Sequence, residues 1–382
     1  MSLAETLAAA CLSVACLGLI YLALATALVA RMGARPAPSR PGGGPGVTIL
    51  KPLHGDEPEL FENLDSFCRQ DYPGPVQLIL GVQSPRDPAI AVARRLAAAY
   101  PALRMELVVD ARLHGTNRKV SNLANMEAAI RHEIVVLADS DMRVRPDYLD
   151  RLVAELAEPG VGAVTCLYHG RATGSVWSRL SALWIDTHFL PGVAVGTGLG
   201  LAKPCFGSTI ALRRETLHAL GGFRRVADDL ADDHALGAAV RELGLRVAIP
   251  SFTVGHACPE RSFRELARQE LRWQRTIRQI EPAGHLGSAL SHPFAFACLG
   301  LLLEPGIPAF GIAAGAVGLR YALCLAVERS FGLEAHPYRL IPLRDLLSFG
   351  LFVASFLGRG VSWRGHRYDV APGGALIPKV ES

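Results

Sequence analysis

The chain predicts an α/β domain built on a parallel sheet, with one N-terminal transmembrane anchor and membrane or interfacial helices at its C-terminal end. Three observations carry this. Short apolar, partly β-branched runs alternate with helically spaced segments between residues 47 and 167, the pattern of strands joined by right-handed helical crossovers. Residues 7–30 carry no charge and are long enough to span a bilayer. Apolar stretches return at residues 294–303, 307–327 and 346–357. Half of the 382 residues are hydrophobic and only 19% are charged, less charge than a soluble enzyme of this size carries.

The N-terminal run is preceded by Glu5 and by no Lys or Arg, which disfavours a cleaved signal peptide. Arg31, Arg35 and Arg40 follow it, so the positive-inside rule puts its C-terminal side in the cytoplasm. The organisation expected is an anchor over residues 1–31, a Pro- and Gly-rich linker over 32–46, a cytoplasmic catalytic domain over 47–285, membrane segments over 286–358 and a cytoplasmic tail over 359–382 with Arg359, Arg364 and Arg367. The net charge of +4 comes with no Lys/Arg-rich block, which speaks against nucleic acid as a partner. Eight cysteines show no CxxC pair, so neither a zinc site nor a disulfide framework is expected.

Within the domain, strands are expected at residues 47–52, 76–82, 105–109, 134–138, 162–167 and 205–212, and helices at 59–70, 89–100, 116–130, 146–158 and 260–278. No GxGxxG follows the first strand and no Gly-Lys-Ser/Thr occurs, which argues against a dinucleotide oxidoreductase and a P-loop enzyme. Residues 175–203 read as an amphipathic interfacial helix bearing Trp177 and Trp184, followed by a Gly-rich loop over 192–201; an ordinary core helix is the competing reading.

Asp139-Ser140-Asp141 closes the apolar run Ile134-Val135-Val136-Leu137. Ligands of open α/β sheets bind beyond the carboxyl ends of the strands, so two carboxylates there suit Mg²⁺ or Mn²⁺ and a phosphate-bearing substrate. Alone the triplet is equally a capped polar turn. Asp228, Asp229, Asp232 and Asp233 lie within six positions. On one helix they would form two like-charged i, i+4 pairs, an unfavourable arrangement that a function would justify. Solvated capping aspartates are the plain alternative.

The order Asp87, Asp139-Ser140-Asp141, Asp233 and Gln269-x-x-Arg272-Trp273 resembles the D, DxD, D, QxxRW pattern of membrane-bound inverting glycosyltransferases with a GT-A fold. Lys51-Pro52-Leu53 and Asn117-Arg118-Lys119-Val120-Ser121-Asn122-Leu123 are similar to stretches of the ceramide glucosyltransferase family. Arg112-Leu113-His114-Gly115, Leu167-Tyr168-His169-Gly170 and Pro204-Cys205-Phe206-Gly207-Ser208 resemble its bacterial hopanoid-biosynthesis branch. The likeness covers about residues 5–300. His234 departs from it, standing where the family more often has Tyr.

The resemblance implies roles. Asp87 contacts uridine, Lys119 lies near the base or phosphates, and Asp139 and Asp141 hold the nucleotide and a Mg²⁺ or Mn²⁺. Asp233 is the general base, Arg272 pairs with diphosphate, Trp273 walls the sugar or acceptor site, and Gln269 positions its neighbours. His188 matches a family histidine only loosely. The implied donor is UDP-N-acetylglucosamine and the acceptor the hopanoid bacteriohopanetetrol, at a bacterial inner membrane. Ceramide glucosylation from UDP-glucose is the alternative, and a processive glycan synthase or a non-catalytic sugar-nucleotide sensor stands further off.

Overall fold

Buried β-branched runs make the centre of a seven-stranded sheet. In the computed structural model its strands are β1 (Val47–Pro52), β2 (Val76–Val82), β3 (Arg104–Val109), β4 (Ile134–Leu137), β6 (Val161–Thr165), β8 (Ile210–Arg213) and β9 (Arg246–Ala248), in the spatial order β3-β2-β1-β4-β8-β6-β9. The structure describes residues 2–38, 42–358, 360–363, 366–370 and 376–378. They divide into a sheet unit (residues 36–169 and 204–257) and a helical unit (1–35, 170–203 and 258–382). Arg40, Arg359 and Arg364, which entered the orientation reading, lie outside the described residues.

In the sheet unit, β1 and β4 are buried along their whole length. Side chains of a strand alternate between its faces. Ile49, Leu78 and Val136 therefore join one core with Leu64, Phe67 and Leu152, while Leu50, Ile79 and Val135 join the other with Val120, Leu123 and Leu236. β1 pairs in parallel with β2 and β4, and β2 with β3. The expectation of a parallel sheet fails at β8, which runs antiparallel to both β4 and β6. The regular strand–helix alternation ends before it, and a four-residue apolar strand carries no mark of its direction. A second sheet has the order β5 (Met142–Arg143), β10 (Thr253–Cys258), β7 (Leu167–Ala172).

Two local expectations are also corrected in this unit. Residues 205–209 are not strand: Thr165 Oγ1 accepts from the N–H of Phe206 (2.8 Å) and donates to its C=O (3.2 Å), so a side chain replaces the ladder there. The acidic run is not one helix. The Asp232–Glu242 helix begins only at its third carboxylate, and Asp228 accepts from the backbone N–H (2.9 Å) and the hydroxyl (3.1 Å) of Thr116. The i, i+4 repulsion is thereby avoided.

In the helical unit, the Leu3–Gly33 and Ile307–Phe331 helices are long and apolar enough to cross a membrane. The pair Pro282–Ser291 and Pro293–Leu303, bent by 62°, makes a third span if it is one broken segment. Small residues let these helices approach closely. A Cβ on Gly18 would lie 2.7 Å from Pro293 Cβ, and one on Gly300 2.6 Å from Leu12. The stretch over 346–357 belongs to a 15-residue helix, Ile341–Ser355, which falls short of a span and buries Arg344 and Asp345.

Residues 175–203 pack within the helical unit, as the competing core-helix reading expects. The Val176–Trp184 helix buries Leu180, Leu183 and Trp184. Leu180 packs with Leu266 and Leu351, and Trp184 stacks on Trp273 at 5.4 Å. The segment expected as a loop over 192–201 is mostly helix, Leu190–Gly198. Between the two helices lies a π-helical turn, Ile185–Phe189. Its Thr187 carbonyl accepts from Arg320 Nη1 at 2.7 Å. Arg320, fully buried within the Ile307–Phe331 helix, also meets Asp345 at 3.1 Å and donates to the Ser291 carbonyl.

Candidate functional site

The carboxyl end of β4 is the focus of the sheet unit. Because β8 runs antiparallel to β4, the residues before β8 stand beside the residues after β4. Asp139 N–H accordingly donates to the Gly207 carbonyl at 3.2 Å. Gly207 N–H donates to Asp233 Oδ2 at 2.8 Å, and Asp233 Oδ1 accepts from its neighbour His234 N–H at 2.8 Å. Lys119 Nζ sits 2.8 Å from Asp139 Oδ1 and 3.1 Å from Asp232 Oδ2. Lys119, Asp139 and Asp233 are thus brought together by three different chain segments.

Lys119 is carried by the Arg118–Met126 helix, whose first turn is capped by Asn117 accepting from Val120 N–H. Burial works against its ammonium, but Asp139, Asp232 and Asp233 outweigh that and hold its pKa above the usual lysine value. Burial, with the Asp232 carboxylate beside it, pushes Asp233 up to about 6 despite Lys119. Asp141 Oδ2 lies 3.4 Å from His256 Nδ1. Burial pushes the Asp141 carboxyl up, but His256 and Lys51 more than offset this and leave it below the usual carboxylate range. Asp141 Oδ1 is buried with no hydrogen-bond partner among the described residues.

Asp87 stands beyond the end of β2. It accepts from Gly55 N–H at 3.0 Å and from Ala89 N–H at 2.9 Å, which fixes the start of the Ala89–Ala99 helix. With β1 between β2 and β4, the strand that leads to Asp87 lies roughly 10 Å across the sheet from the strand that leads to Asp139, at about 4.8 Å per strand. Gln269, Arg272 and Trp273 belong to the helical unit, on the Phe263–Ile280 helix. Arg272 Nη2 donates to Gln269 Oε1 at 3.2 Å, and its guanidinium lies 5.8 Å from the Trp273 ring. His188 is buried in the same unit, with Nδ1 2.9 Å from Thr187 Oγ1 and Nε2 3.6 Å from Asp345. The structure thus ties it to a packed polar cluster.

Four residues of the site escaped the sequence reading as individual actors. Lys51, the last residue but one of β1, is fully buried, donates to the Asp139 carbonyl at 2.6 Å and lies 3.5 Å over the Phe67 ring; burial brings its pKa down to about 7. A lysine closing an otherwise apolar strand was a legible signal. Asp232 was read only as part of an acidic run. His256 carried no signal and Gly207 was read only within the phrase Pro204-Cys205-Phe206-Gly207-Ser208, because only the pairings β5–β10 and β4–β8 place them here.

What this set can do chemically follows from its composition. It offers a carboxylate with a raised pKa, a fixed ammonium, and carboxylate oxygens of a kind that hold hard cations. Among the described residues no three His, Cys, Asp or Glu side chains form a metal-holding group. Asp141 Oδ1 has no hydrogen-bond partner among the described residues, whereas Asp139 is already engaged by Lys119.

The family model described as "Glycosyl transferase family 21" matches residues 10–376. Ceramide glucosyltransferase 1 of Caenorhabditis elegans is 26% identical over 54% of this chain and 44% of its own length. Ceramide glucosyltransferase of Komagataella phaffii is 38% identical over 29% of this chain and 22% of its own. The matched stretch thus spans less than half of either relative. Among solved structures, the mannosyltransferase PcManGT from Pyrobaculum calidifontis, in complex with GDP-Man and Mn²⁺, is 25% identical with a TM-score of 0.57, over 93% of this chain and 99% of that one.

These relatives correct one expectation. The proteins named ceramide glucosyltransferase come from a nematode and a yeast, so the bacterial inner membrane does not stand. The flanking arginines report the sense of an apolar segment in a bilayer; they carry no information about whose bilayer it is.

Proposed function

Because the chain belongs to glycosyltransferase family 21, we propose that it is a membrane-associated, inverting enzyme that moves a hexose from a UDP-sugar to the hydroxyl of a lipid, on a sheet unit of GT-A type. The observation that carries this reading is the Asp233 carboxylate, held by Gly207 N–H and raised to about 6 beside the Lys119–Asp139 pair. Ceramide and UDP-glucose are the favoured substrates, since the similar nematode and yeast proteins bear that name. The hopanoid pair implied by the sequence phrases falls behind them.

In this reading the lipid hydroxyl gives its proton to Asp233 as its oxygen attacks the anomeric carbon. One carbon–oxygen bond forms, the bond to the diphosphate breaks, and UDP leaves. A single displacement turns an α-linked donor into a β-glycoside. Asp87 holds uridine, Lys119 and Arg272 neutralise phosphate oxygens, and Gln269 and Trp273 shape the sugar and acceptor side. Asp139 and Asp141 would hold a Mg²⁺ or Mn²⁺, whose shell phosphate and water complete; the partnerless Asp141 Oδ1 fits that use. The Mn²⁺ in the similar mannosyltransferase supports it. When bound, the cation stabilises the leaving diphosphate.

The test is UDP release coupled to lipid mass analysis on the full chain in detergent. UDP-glucose or UDP-N-acetylglucosamine is supplied with ceramide or bacteriohopanetetrol and Mg²⁺ or Mn²⁺. Hexose added to ceramide, abolished by EDTA, is the expected result. Hexosamine on the hopanoid would overturn the substrate assignment, and no product from any pair would overturn the reading itself.

The pH dependence follows from the base. Asp233 accepts a proton only when ionised, so kcat/KM rises with pH and levels off above about 6. A flat profile between pH 5 and about 7, well inside the span a single base of this kind would shape, would remove Asp233 from that role.

A further inference from the structure

Gly207 is glycine for a reason other than backbone conformation. It is absent from the residues with positive φ, so an L side chain suits its backbone. What it lacks is room. A Cβ built on Gly207 would lie 2.9 Å from Asp139 Oδ2 and 2.9 Å from Lys119 Nζ. Both are closer than real Cβ contacts, and both atoms are the far ends of flexible side chains. Substitution there strains the ion pair rather than the fold.

The two peptide groups of Gly207 face two different partners. Its carbonyl receives Asp139 N–H at 3.2 Å, and its own N–H reaches Asp233 Oδ2 at 2.8 Å. The loop that carries it is pinned independently. Phe206 is bonded to Thr165 Oγ1 at both its N–H and its C=O, and Ser208 Oγ donates to the Cys166 carbonyl at 2.7 Å. Gly207 is therefore a fixed point between the end of β4 and the start of the Asp232–Glu242 helix.

We propose that Gly207 is a positioning residue of sugar transfer: its bare α-carbon accommodates the Asp139–Lys119 pair on the donor side, while its backbone N–H holds Asp233 on the acceptor side. It acts through these residues. The proposal rests on the reading of Asp139 as donor-side and Asp233 as base.

The test is Gly207→Ala in the full chain, with Ser208→Ala as a control that loosens the same loop without filling the space beside Asp139. The added methyl displaces the donor-side pair and leaves the N–H to Asp233 in place. The KM for UDP-glucose and its Kd in the presence of Mn²⁺ should both weaken about tenfold, while kcat falls less than about threefold, since interactions lost equally in ground and transition states appear in KM. A purely structural effect would lower the active fraction and leave KM and Kd unchanged, as expected for Ser208→Ala. Wild-type donor affinity in Gly207→Ala, with Asp233→Asn inactive, would overturn this inference alone. An active Asp233→Asn enzyme would overturn the base assignment beneath it.

Discussion

Replacing Asp233 by Asn lowers kcat by about 10³-fold and leaves the KM for the donor near its original value, the loss expected when a positioned general base is removed. The amide has the shape of the carboxylate and its one oxygen can still accept from Gly207 N–H, while its NH2 group gives up the acceptor that His234 N–H had and the basic site is lost. The fold should not suffer. Asp233 has a pKa raised to about 6 by burial and by Asp232, above its unfolded value of about 3.9. The native state therefore binds the extra proton, and its stability falls as pH rises through that window. At neutral pH the ionised Asp233 is a cost that the amide removes, which offsets the one backbone hydrogen bond it loses, so the variant should melt close to the parent. Steady-state kinetics at saturating acceptor, with thermal melts alongside, measure both. Near-wild-type kcat would remove Asp233 as the base, and a much lower melting temperature would mark it as structural.

The second large effect is on stability. Arg320→Leu should cost on the order of 3–5 kcal/mol, the range for breaking a buried ion pair. Arg320 is fully buried, and its guanidinium meets Asp345 and the carbonyls of Thr187 and Ser291. Removing it leaves a buried carboxylate uncompensated and two carbonyls short of a donor. One of these belongs to the π-helical turn Ile185–Phe189, a distortion of the kind that frees a carbonyl from the regular ladder. The double variant Arg320→Leu/Asp345→Leu removes both charges and should recover most of the loss, because a buried pair replaced by apolar residues is often near neutral. Melting in detergent, followed by intrinsic fluorescence, tests the cycle. A single variant as stable as the parent would show that Arg320 is not a clamp.

The residues legible from sequence were those whose chemistry is local. The apolar runs of β1, β2 and β4 and the uncharged helix Leu3–Gly33 declared themselves by periodicity, since burial on both faces or in a bilayer leaves a continuous apolar signature. The Asp139-Ser140-Asp141 triplet stood out because carboxylates after a buried strand are conspicuous. Strand direction was less legible. A four-residue strand such as β8 reads alike in either sense, and the expectation of a parallel sheet rested on the strands before it. The amphipathic pattern of Val176–Trp184 suited a membrane interface and a packed core equally well, because both are only apolar surfaces to a helix.

The sequence by itself determined the alternation of strands and helices in the first half of the sheet unit, the apolar helices that flank it, and the identity of the motif carboxylates. Each depends on side chains near one another along the chain. Only the tertiary structure decided that Lys119 bridges Asp139 and Asp232, that His256 stands beside Asp141, and that Gly207 joins Asp139 to Asp233. Those pairs are separated by 20 to 115 residues in sequence, and they meet because the antiparallel entry of β8 and the β5–β10 pairing bring distant loops to the same end of one sheet.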